Sequence, residues 1–121
     1  MKTLLSLAVV AALAAGPAFA ACTYPKAPDS IPDGSTSTLE QMLAGSRAVK
    51  AFDAAITDYQ TCLEGEHNDA LAANPQLTDE QKAERTKIFA QKQNAAVDEA
   101  QGLADRLNAQ IRVYKEKNAK K

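Results

Sequence analysis

The rhythm of apolar positions changes sharply along this chain. Leu4 to Ala15 is apolar throughout except for Ser6. Residues 22–36 show no apolar period and are punctuated by Pro25, Pro28, Pro32 and Gly34, with Ser and Thr between them. That composition cannot be helical and predicts an extended, polyproline-like segment. Beyond it Met42, Val49, Phe52, Ile56, Tyr59 and Leu63 are spaced 7, 3, 4, 3 and 4, the 3.5-residue repeat of a helix that packs along one seam, as in a coiled coil. A second such seam runs through Ala90, Gln93, Val97, Ala100, Ala104, Leu107, Ile111 and Tyr114.

Boundary signals bracket both seams. Ser37-Thr38-Leu39-Glu40 has the S-x-x-E form of a capping box, in which the hydroxyl accepts a helix N–H and the carboxylate reaches back. Thr78-Asp79-Glu80-Gln81 repeats the device and places acids where the helix dipole favours them. The first helix must stop at Asn74 because Pro75 follows. Lys115, Lys117, Lys120 and Lys121 close the second with the charge a helix C-terminus prefers. The pattern therefore predicts an all-α fold, with helices over about 37–73 and 78–118 forming an antiparallel, coiled-coil-like hairpin (37–121) behind an extended strap (21–36). Folding about Pro75 sets Ile56 near Val97, Phe52 near Ala100, Val49 near Ala104 and Gly45 near Leu107, large residues opposite small ones.

The apolar run near the start has a different meaning. Lys2 precedes it, Gly16-Pro17 breaks it, and Ala18-Phe19-Ala20 follows, the order of a secretory signal with cleavage between Ala20 and Ala21. At about 12 residues the run is too short for a transmembrane helix, which needs roughly 20. Lipidation of Cys22 is the alternative reading, but Phe19 stands where such signals carry a small branched aliphatic residue. Cleavage after Ala20 implies a periplasmic protein with no transmembrane segment, and leaves about 101 of the 121 residues, enough for one domain.

Both cysteines, Cys22 and Cys62, survive that cleavage, and in an oxidising compartment an even pair most simply forms a disulfide. Reach then becomes a constraint. From Ser37 to Cys62 a helix rises roughly 38 Å, while the strap from Cys22 to Ser37 spans roughly 46 Å as polyproline. An intramolecular bond forces the strap back along the first helix, nearly extended, with Tyr24, Pro25, Pro28 and Ile31 in the groove.

Charge is unevenly spread. From Cys22 to Asp79 three basic residues face nine acidic ones, a net of −6, whereas from Glu80 onward ten basic face six acidic, a net of +4. The two parts are electrostatic complements, which predicts pairing within the molecule before any nucleic-acid partner. The lysine-rich end from Arg112 is expected beside Asp29, Asp33 and Glu40; it has few large apolar residues to enter a lipid surface.

Candidate chemistry is sparse. His67, the only histidine, lies among Glu64, Glu66 and Asp69, types that can ligate a divalent metal. At those spacings the side chains scatter around a helix, and two cysteines with one histidine do not make a zinc set. No nucleophile elbow or phosphate loop occurs, so the expectation is a protein without catalytic residues, metal or cofactor.

Leu77-Thr78-Asp79-Glu80-Gln81 resembles the LTxxQ element of periplasmic stress chaperones, themselves small helical hairpins, which implies client binding. Over most of the mature length the chain also resembles small proteobacterial exported proteins that open with a Cys-Tyr-Pro-like strap and an Ile-Pro-Asp-Gly turn before two helices. Here these are Cys22, Tyr24, Pro25 and Ile31-Pro32-Asp33-Gly34. That likeness implies compartment and shape, not activity. The expected role is structural or protein-binding, the partner being a second copy or another periplasmic protein, with a stress chaperone as the alternative.

Overall fold

The computed structural model describes residues 21–120; the expected signal segment, 1–20, lies outside them. Two helices in antiparallel contact carry the fold, α1 (Leu39–Ala73, 35 residues) and α2 (Asp79–Ala119, 41 residues). Among the described residues there are no strands, so the chain is all-α.

Each helix starts on a reciprocal threonine–glutamine box. Thr38 N–H donates to Gln41 Oε1 at 2.8 Å while Gln41 N–H donates to Thr38 Oγ1 at 3.2 Å. Thr78 and Gln81 repeat the exchange at 2.9 and 3.2 Å. The first box is one residue later than Ser37–Glu40. Ser37 is drawn into the preceding turn, its N–H donating to the Asp33 carbonyl at 2.8 Å, so Thr38 is the first residue free to cap. α1 ends on Asn74, whose N–H and side-chain amide donate to Leu71 and Ala70 carbonyls.

The α1 seam is as its spacing predicts: Met42, Val49, Phe52, Ile56 and Leu63 are buried, and Tyr59 is half-buried. Burying side chains of this size is worth about 1.5–3 kcal/mol each. In α2 the expected seam is met in part, with Leu107 buried and Ala100 and Ile111 packed on the core, and the buried face is otherwise turned from it. Ala96, Leu103 and Leu107 are buried, at 0, 3 and 6% exposure, whereas Ala90 is exposed and Val97 remains 43% exposed. Ala96 and Leu103 each lie one residue before an expected seam position, about 100° round the helix.

The strap explains the rotation. Residues 21–37 lie across the groove between the helices, so α2 faces two neighbours, and its buried face points between them. Cys22 joins Cys62 (Cα–Cα 5.8 Å), and the Tyr24 ring meets Tyr59 edge-on at 5.0 Å. Ala27 and Ile31 pack on the core, and Pro32 sits over Gly45. A methyl at Gly45 would come within 2.5 Å of the Pro32 ring. The missing side chain on the α1 seam thus makes room for the strap's proline. As reach required, the strap runs antiparallel to α1, tied by the disulfide.

The expected charge pairing is not found at contact distance. Among the described residues the only ion pair within 4.0 Å is Lys26–Asp29, exposed within the strap. Seam positions are apolar or neutral, so the charges stand on outward faces of each helix. At the far end Lys117 donates to the Ser35 carbonyl, which does set the lysine-rich terminus beside the Asp33 turn.

Candidate functional site

Beyond the disulfide, toward the turn, residues of the two helices line a hollow between them. The strap's first described residues end at the level of Cys62, while α1 continues to Ala73. Cys22 N–H donates to Glu66 Oε2 at 3.4 Å. From there toward the turn the groove continues as a cleft of about 160 Å³. Leu63, His67 and Ala70 of α1 face Ile88 and Phe89 of α2 across it, with Glu66, Arg85 and Lys92 at its edges.

Helical spacing builds this wall. Arg85, Ile88 and Lys92 are three and four residues apart and therefore share one face of α2. Ile88 is left 43% exposed. The floor is aromatic: His67 stacks on Phe89 with ring centres 4.5 Å apart and planes 8° from parallel. A second hollow, lined by Ala21, Glu66, Ala70, Ala73 and Asn74, adjoins the cleft and shares Glu66 and Ala70 with it. The residue expected to begin the mature chain, Ala21, is therefore at the rim.

His67 does not gather the acids around it in sequence. Among the described residues no three His, Cys, Asp or Glu side chains come together as a metal-holding group. His67 faces Phe89, and Glu66 turns to the strap. Cys22 and Cys62 are joined to each other. The Ser35 hydroxyl donates to Asp33 Oδ1 at 2.6 Å, and its N–H to the same oxygen at 2.8 Å. These bonds close the turn and hold the Asp33 carboxyl below its ordinary range, the hydroxyl contributing most and the Lys117 charge adding to it.

Two further features tie the strap to α2. The Tyr24 hydroxyl donates to Glu99; partial desolvation, then that bond and the carboxylate charge, push the phenol up to about 12. Gly34 N–H donates to Gln110 Oε1 at 2.8 Å. Nearer the turn, Gln93 Nε2 donates to the Gln60 carbonyl at 3.0 Å across the helices, while its buried Oε1 has no partner among the described residues.

No known protein family, curated protein or solved structure matches the chain.

The cleft was not anticipated from the sequence, although a signal for it exists. Ile88 and Phe89 are large apolar residues ahead of the expected α2 seam, and the Arg85, Ile88, Lys92 spacing puts two cations on one face.

Proposed function

We propose that this chain is a small exported protein of the periplasm that acts without catalysis, by binding another protein or a second copy of itself along its helical hairpin. The observation that supports this most is the strap. The hairpin groove already holds an extended, proline-bearing polypeptide over the length from Pro32 to Cys22, and the same groove goes on past the disulfide as an apolar cleft. Leu39, Leu43, Val97 and Val113 add exposed apolar surface elsewhere. A disulfide is in keeping with an oxidising compartment.

A stress chaperone of the LTxxQ type is the second reading, and one observation favours it. The T-x-x-Q arrangement occurs at both helix starts, Thr38–Gln41 and Thr78–Gln81. A helix start needs those letters for its own cap, which is why the structural or binding reading stands first.

Fractionation with intact-mass measurement tests the compartment: a periplasmic protein beginning at Ala21 is expected, and the mass of a diacylglyceryl group on Cys22 would overturn it. Light scattering over a concentration series tests self-association. Suppression of aggregation of an unfolded client would move the assignment to the chaperone; a strict monomer that binds neither client nor apolar dye would remove both.

A further inference from the structure

We infer that the cleft beyond the disulfide docks an extended, acid-bearing segment of a partner protein, laid in line with the strap; this rests on the protein-binding reading and names the partner's chemistry. Continuity is the first argument. The strap and the cleft occupy one groove, and Glu66 belongs to both, accepting the Cys22 N–H and edging the cleft. A groove that accommodates Tyr24, Ala27 and Ile31 in extended form has the width for a second extended chain.

Length agrees with a short extended segment. Leu63 to Ala70 rises about 10 Å along α1, which about three extended residues cover at roughly 3.1 Å each.

Charge selects the occupant. Arg85 and Lys92 flank Ile88 on the α2 wall, and neither pairs with a carboxylate within 4.0 Å among the described residues. The acid of the α1 wall, Glu66, is turned to the Cys22 N–H. An apolar side chain set on Ile88 and Phe89, with a carboxylate beside it, would meet both walls. Exposed cations of this kind favour the approach and register of an acidic partner more than they add affinity.

The test uses a short fluorescein-labelled peptide of Ile, Pro, Ala and Glu, and its counterpart with Lys for Glu. Anisotropy should show the Glu peptide binding the exported protein more tightly than the Lys peptide. The double change Arg85→Glu with Lys92→Glu should weaken the Glu peptide about tenfold and reverse the preference, and Ile88→Asp should weaken both. Helical dichroism checks that these surface variants remain folded. Failure of the Glu peptide to bind, or binding indifferent to the cleft variants, would overturn the docking inference. So would a concentration-dependent shift of the Ile88 and Lys92 amides without peptide, which would mean a second copy in the cleft. The protein-binding reading survives those results if clients or a second copy still bind, and falls with the inference if nothing does.

Discussion

Gly34 lies with its α-carbon against the backbone of Gln110, so close that a methyl there would sit 2.0 Å from the Gln110 carbonyl oxygen and 2.8 Å from the Tyr114 nitrogen. Both obstacles are helix backbone, which cannot turn aside. Gly34→Ala is expected to lift this end of the strap and to cost about 1–3 kcal/mol, the range for overpacking. Gly65→Ala is the control, since nothing lies within 4 Å of its added methyl; in a helix interior it should be neutral or stabilising by up to about 1 kcal/mol. Thermal melts of the two variants check the contrast.

Removing the disulfide frees the other end. The chain-entropy estimate for a loop of separation 40 is about 4 kcal/mol, reduced by structure left in the unfolded chain. Cys62→Ser should lower the melting temperature, and reductant should do the same to the unaltered protein but not to the variant. Non-reducing electrophoresis should show a monomer; a dimer band that reductant collapses would contradict the intrachain bond.

The turned face of α2 is tested by a pair of truncations. Leu103→Ala removes a buried side chain and should cost about 2–5 kcal/mol. Val97→Ala, on a position 43% exposed, should change stability by no more than about 0.5–1 kcal/mol. Equal losses in denaturant titration would restore the seam expected from spacing alone.

Tyr24 gives the strap a pH signature at the alkaline end. Its proton is held to about 12 in the fold, against about 10 for an unfolded tyrosine. Between those values the folded state binds more protons, so this contribution is complete below about pH 10 and is lost as pH rises toward 12. Ultraviolet titration should show a late ionisation toward pH 12 that Tyr24→Phe abolishes. Glu99→Gln should bring it down without restoring the ordinary value, since desolvation is the larger cause.

Thr78→Ala tests the cap. It removes the oxygen that accepts Gln81 N–H and should cost about 0.5–2 kcal/mol, read as a lower melting temperature. Thr78→Ser should keep most of the stability.

Much of this fold is legible in local rules: proline density for the strap, period for the helices, the Thr78–Gln81 box, and reach for the disulfide. What spacing could not supply is the third neighbour of α2. A heptad count assumes that one face meets one partner, and the strap, having no period of its own, gives no sign of which side it covers. The same cause hid the role of Gly45, which faces Pro32. No motif marks the cleft, because its walls come from residues far apart in sequence, Leu63 and His67 of α1 and Ile88 and Phe89 of α2. The acids around His67 were legible as neighbours in sequence only, since the helix turns them to different sides.

A tension applied through the two ends of the described chain would not pass through every residue. From Ala21 it would enter Cys22, cross the sulfur–sulfur bond to Cys62, and follow the rest of α1 into α2. Residues 23–61 would hang beside the load as a closed ring. Stretched to failure, the oxidised protein should come up shorter than the reduced one by about 40 residues, roughly 140 Å at the length of an extended chain. A single protease cut anywhere in that ring should leave the two pieces travelling together until the bond is reduced.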